Sequence, residues 1–203
     1  MSPEDFRDAL ERRTDQDLVE LCLYGDLIPF VFEEDEQAWD RFRRSVGERL
    51  GTDAAQIAVI GSGRFGFSLK PGANLRSFVD TSDIDLIIVD AVKFDELWDR
   101  LLTGVYPRPP VNVNGWLREC QKELFTGWLT PVEIRPDRRI HGKKVDPLLQ
   151  LTHAWFETLK VSSGLVAKAH EKINARLYRT WRQAELYHAH SIAALRQSIS
   201  EQN

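Results

Sequence analysis

Two aspartates one residue apart, in Ser82-Asp83-Ile84-Asp85-Leu86-Ile87-Ile88-Val89, open an apolar run that reads as a buried strand. Alternate residues of an extended chain share a face. Asp83 and Asp85 therefore point the same way from one end, with apolar Ile87 and Val89 beyond them. Two like charges this close raise each other's pKa unless something positive lies between them. A divalent cation meets that need, and hard Mg²⁺ (or Mn²⁺) takes one or two carboxylates together with substrate phosphates. Taken alone, such a pair is more often two acids capping a strand end in water. A glycine loop upstream weighs against that reading.

The loop is Gly61-Ser62-Gly63-Arg64-Phe65-Gly66, directly after the apolar run Ile57-Ala58-Val59-Ile60. It matches the dinucleotide fingerprint G-x-G-x-x-G, and Asp90 ends the next apolar run where a ribose-binding acid would stand. That chemistry needs a helix of useful length after the glycines, to present its N-terminus to a pyrophosphate. Pro71-Gly72-Ala73-Asn74 interrupts soon after, and proline costs a helix interior about 3 kcal/mol. A dinucleotide-binding protein is thus the weaker alternative.

Gly61-Ser62 followed by Asp83-x-Asp85 resembles the DNA polymerase β-like nucleotidyltransferases, over about residues 57–135. Within that superfamily the chain resembles the small bacterial enzymes similar to the nucleotide second-messenger synthases of anti-phage defence. The resemblance implies that Gly61 and Ser62 open a short helix whose N–H groups and hydroxyl grip triphosphate oxygens, with Arg64 beside them. It implies that Asp83 and Asp85 bind the metal ions, and that a third acid on a neighbouring strand completes a two-metal site. Glu133, in Pro131-Val132-Glu133-Ile134, is the residue that fits, although the family usually has Asp there. An isolated acid buried in an apolar strand would otherwise cost several kcal/mol. The implied activity is metal-dependent transfer of a nucleotidyl group from a nucleoside triphosphate to a hydroxyl acceptor, with pyrophosphate leaving. The acceptor stays open among a second nucleotide, a tRNA end and a protein, and a partner protein responding to the product is a further expectation. One of the three carboxylates would serve as the base for the acceptor hydroxyl. The alternative of another class is a non-catalytic nucleotide-binding regulatory module of the same fold, favoured by Glu133 and by the long loop Leu69–Thr81.

A triphosphate also needs cations. Lys168, Lys172, Arg176 and Arg179 recur at helical spacing and would share one face of a helix, Arg176 and Arg179 at the border of its apolar stripe. A solvated helix face is the competing interpretation for Lys168 and Lys172. Arg135, Arg138, Arg139, Lys143 and Lys144 follow Glu133 and are equally a phosphate-facing cluster or a solvated loop. Tyr178 or Trp116 could stack on a base, with core packing the more common fate. Trp39, Trp98, Trp155 and Trp181 occupy apolar helical positions and are expected in the core. His188 and His190 lack metal-binding spacing.

The elements that must position these groups follow from periodicity. Helices are expected through the first 50 residues, from Phe6, Leu10, Leu18 and Leu21 and then Trp39, Phe42, Val46 and Leu50. Strands are expected at 57–60, 84–89 and 132–134, with helices over 93–102 and 114–125. From Pro147 onward the spacing of Ile173, Leu177, Trp181, Ala184, His188 and Leu195 predicts continuous helix. The expected fold is α+β: a small mixed sheet forming a nucleotidyltransferase core with N-terminal helices over residues 1–146, and a C-terminal helical region over 147–203.

Composition bounds this reading. The chain has 203 residues, 42% apolar and 29% charged, enough to bury a core and without an apolar run of membrane-spanning length. Cys22 and Cys120 are too few for a disulfide framework or zinc site, and Met1-Ser2-Pro3-Glu4-Asp5 is acidic where a signal peptide is basic, so a cytoplasmic protein is expected. Residues 1–53 carry 15 acids against 7 bases, 54–134 carry 10 against 8, and 135–203 carry 6 against 12. The net charge of -4 therefore leaves room for a local anion site, if the gradient is more than solvated helix faces of different sign.

Overall fold

Ser2 and Thr14 each precede a helix and have an aspartate three residues on. Each hydroxyl accepts the aspartate's N–H, and each carboxylate accepts the cap residue's N–H. These two capping boxes start α1 (Pro3–Arg12) and α2 (Asp15–Leu23). Asp35 caps α3 (Glu36–Leu50), which Gly51 ends in the left-handed conformation. The chain continues through β1 (Ile57–Ile60), the one-turn helix α4 (Ser62–Phe65), β2 (Ile84–Val89), α5 (Ala91–Val105) and α6 (Gly115–Thr126). It ends with β3 (Trp128–Leu129), α7 (Arg138–His141), α8 (Asp146–Ser163), β4 (Ile173–Tyr178) and α9 (Trp181–Ser200). The computed structural model describes residues 1–24, 27–32, 35–105, 115–166 and 172–201.

The strands form one mixed sheet in the order β1-β2-β4-β3. The β1/β2 and β3/β4 pairs are antiparallel, and the central β2/β4 pair is parallel. Alternation sorts the side chains onto two cores. Val59, Leu86, Ile88, Ala175 and Leu177 face one core with Phe42 of α3, Phe94 and Leu97 of α5 and Trp155 of α8. Ala58, Ile60, Ile87, Val89 and Tyr178 face the other with Phe6 of α1, Leu18 of α2 and Ile192 and Leu195 of α9. Because helices cover both faces, Ile84, Ile87 and Ile88 are all fully buried, which explains why β2 reads as one apolar run. Cys22 and Cys120 are free thiols in opposite cores, each pushed up to about 12 by burial. Among the described residues no helix is long and apolar enough to cross a membrane.

The protein is a mixed α+β chain, as expected, but two elements differ from the reading of the sequence. The expected continuous helix after Pro147 is broken by β4, so this region supplies an interior strand of the sheet. Ile173, Leu177 and Trp181 recur every four residues, a spacing that fits both a helix face and one face of a strand. Polar Asn174 and Arg176 between buried Ile173, Ala175 and Leu177 mark the strand. Thr180 then caps α9, its hydroxyl accepting the Gln183 N–H.

The expected strand 132–134 is likewise a single 3₁₀ turn, Pro131–Glu133. Pro131 has no N–H to extend the short β3 ladder and instead begins the turn. Among the aromatics, Trp155 and Tyr178 are core, whereas Trp98 is 49% exposed on α5, contrary to its expected burial.

Candidate functional site

The register gathers the sequence motifs at one end of the sheet. Ile60, the last residue of β1, pairs with Asp85, so the Gly61-Ser62 turn out of β1 lies beside the Asp83-Ile84 entry into β2. Gly61 has φ 61° and ψ -137°, a region essentially closed to residues with a Cβ. It redirects the chain into α4 at once, and Gly66, at φ 81°, ends that helix after a single turn. Gly63 lets α4 lie close on the sheet, since a Cβ there would meet Val59 Cγ1 at 3.1 Å.

On the other side of β2, Asp85 is in register with Asn174 of β4 and Ile87 with Arg176. Asn174 Nδ2 donates a hydrogen bond to Asp83 Oδ2 at 3.2 Å. Lys172 Nζ stands 3.6 Å from the same oxygen. Asp85 lies deeper, and burial raises its pKa. The charge of Arg176, the amide of Asn174 and the charge of Lys172 oppose that rise, while Asp83 adds to it. Asp85, Lys172, Asn174 and Arg176 line one cleft with Thr130, Val132 and Glu133. The cleft exists because β3 pairs only with the end of β4, leaving the edge of residues 173–176 open.

Arg176 is the best-positioned cation of this cleft. Its guanidinium carbon lies 5.2 Å from the Trp128 ring and 5.0 Å from the Tyr187 ring, two cation–π contacts that fix a half-buried charge. Among the described residues it forms no ion pair with a carboxylate, although Asp85 and Glu123 both feel its charge.

Behind Arg176 sits His188 of α9, whose buried Nε2 has no hydrogen-bond partner. Burial, with the charge of Arg176 adding to it, pushes His188 down from 6.5 to about 4. The unfolded chain therefore binds the extra proton between these two values. This contribution to stability is complete above pH 6.5 and is lost as the pH falls through about 4. The full difference is about 3 kcal/mol. Urea unfolding at pH 7 and pH 4.5 checks it: His188→Gln should lose much less stability on acidification than the natural chain. Equal losses would show that His188 carries none of the acid sensitivity.

The remaining expected site residues are placed apart from this corner or engaged elsewhere. Glu133 lines the cleft, but on the 3₁₀ turn its side chain is 60% exposed and pairs with Arg135 Nη2 at 2.9 Å. It is thus not a buried strand acid, although it shares the cleft with Asp85. Among the described residues no set of three or more His, Cys, Asp or Glu is placed to hold a metal. Arg64 is buried at 6% exposure, near Cys22 and 5.8 Å from the Phe65 ring, and opens toward Leu27 and Ile28 instead. Arg179, past the far end of β4, donates to both carboxylate oxygens of Asp95, at 2.9 and 3.2 Å. The expected helical stripe of cations does not form: Lys172 precedes β4, Arg176 lies within it, and Lys168 lies outside the described residues. Asn174, Trp128 and Tyr187 escaped sequence reasoning. The alternation of residues 173–178 was the available signal for Asn174; nothing local marks Trp128 or Tyr187 as neighbours of Arg176.

The antiparallel β1/β2 pair and the one-turn α4 do not form the parallel strand–helix–strand unit that the G-x-G-x-x-G reading requires. No protein-family model, curated protein or solved structure matches the chain.

Proposed function

We propose that this chain is a nucleotide-binding protein with a polymerase β-like nucleotidyltransferase core, holding a nucleoside triphosphate at the Gly61-Ser62 turn without transferring it. Three features support the core: the one-turn helix straight after Gly61, the antiparallel β1/β2 pair, and Asp83 and Asp85 at the entry to β2. The observation that carries the non-catalytic reading is the register of Asp85 with Asn174. The resemblance asks for a third acid on the strand beside the Asp pair, and a neutral amide stands there. Glu133 lines the same cleft but from a 3₁₀ turn rather than a strand, and it pairs with Arg135.

The second reading is nucleotidyl transfer to a hydroxyl acceptor with Mg²⁺ or Mn²⁺, making a nucleotide signal. It is favoured by two carboxylates sharing one face at one end of β2, a donor pair that such an ion can use with substrate phosphates. Incubation with labelled nucleoside triphosphates separates the two. The binding reading expects saturable retention of nucleotide with no pyrophosphate released under either metal. Release of pyrophosphate that disappears in the Asp83→Ala/Asp85→Ala double variant would establish transfer instead. Absence of any nucleotide retention would overturn both.

A further inference from the structure

The carboxylates that a divalent ion would need already have partners from the protein itself. Asp83 accepts the Asn174 amide at 3.2 Å and faces the Lys172 ammonium at 3.6 Å. Asp85 feels the charge of Arg176, the amide of Asn174 and the charge of Lys172, although among the described residues neither cation forms an ion pair with it. The carboxylates thus lie in the field of two cations with no ion added, and of these only Lys172 stands at ion-pair distance. The residue in register with Asp85 brings no further charge, since it is Asn174, and Glu133 is occupied by Arg135. The residues present do not suit a two-metal centre: an entering cation would meet the ammonium of Lys172 and displace the amide of Asn174.

The same arrangement suits an anion. Arg176 is pinned by two aromatic rings and free of a carboxylate partner among the described residues, so its planar donors are pre-organised for phosphate oxygens. Lys172 is exposed at the mouth of the same cleft, and its pairing with Asp83 is weak enough to be exchanged. We infer that Arg176 and Lys172 hold the phosphate groups directly, so that this site binds a triphosphate without a divalent cation. The inference rests on the nucleotide-binding reading above and deepens it.

Equilibrium binding of labelled ATP and of inorganic tripolyphosphate to the full chain, each in EDTA and in Mg²⁺, tests it. Affinity in EDTA should equal or exceed that in Mg²⁺. Arg176→Ala should weaken binding about tenfold or more in both buffers, the effect of losing a charged hydrogen bond. Lys172→Ala, at an exposed position where folding is not at issue, should weaken it by a smaller factor. Asp83→Asn/Asp85→Asn should leave affinity unchanged or tighten it, because the carboxylates repel the phosphates. Binding that requires Mg²⁺ and vanishes in this double variant would overturn the inference while leaving the nucleotide-binding reading intact. Tripolyphosphate bound through Arg176 in EDTA, with ATP not bound, would keep the inference and overturn that reading. Binding of neither ligand in either buffer would overturn both.

Discussion

Tyr178→Ala should lower the unfolding free energy by about 3–5 kcal/mol, the usual cost of removing a large buried aromatic ring. Tyr178 is 0% exposed and closes β4, with the rings of Trp128, Tyr187 and His188 at 6.3, 6.3 and 6.5 Å. The cavity would open where the second core meets the cage around Arg176. For a chain of this length each kcal/mol lowers Tm by about 2–4 °C, so a fall of roughly 10 °C is expected in a thermal scan. Phosphate affinity should fall as well, because Trp128 and Tyr187 would no longer be wedged against Arg176. A Tm within a degree or two of the natural value would contradict the interior position of β4 and with it the register of Asp85 with Asn174.

Asn174→Asp should change the protein's response to metal. The substitution removes the amide donor of Asp83 and sets a third carboxylate beside two others, a cost of about 1–3 kcal/mol without added cations. Millimolar Mg²⁺ or Mn²⁺ should restore most of that loss, since three carboxylates on adjacent strands make a donor set that the natural corner lacks. The natural chain should show little metal-dependent change in Tm. Thermal unfolding of both proteins with and without metal reads the difference. Loss of stability that metal does not repair would show that residue 174 does not share a corner with Asp83 and Asp85.

The strands at 57–60 and 84–89 were legible because burial on both faces leaves an unbroken apolar run between turn residues. The Asp pair was legible for a related reason: a strand's period of two places Asp83 and Asp85 together without any knowledge of the neighbours. β4 was not, because Ile173, Leu177 and Trp181 are compatible with either period and a long helix follows. That one ambiguity hid much of the site. With 173–178 read as helix, Asn174 has no register with Asp85, and Arg176 falls into line with Lys168, Lys172 and Arg179. The strand expected at 132–134 failed through Pro131, whose missing N–H could have signalled a turn as readily as a strand boundary. Trp128 and Tyr187 meet at Arg176 from distant parts of the chain, a contact that only tertiary packing decides.

The position of a bound nucleotide tests the central claim most directly. A crystal soaked with a non-hydrolysable nucleoside triphosphate in EDTA should show phosphate oxygens within hydrogen-bond distance of the Arg176 guanidinium, in the cleft that Lys172 and Asn174 also line. Phosphates found away from Arg176, or bound to Asp83 and Asp85 only through an added metal ion, would contradict it.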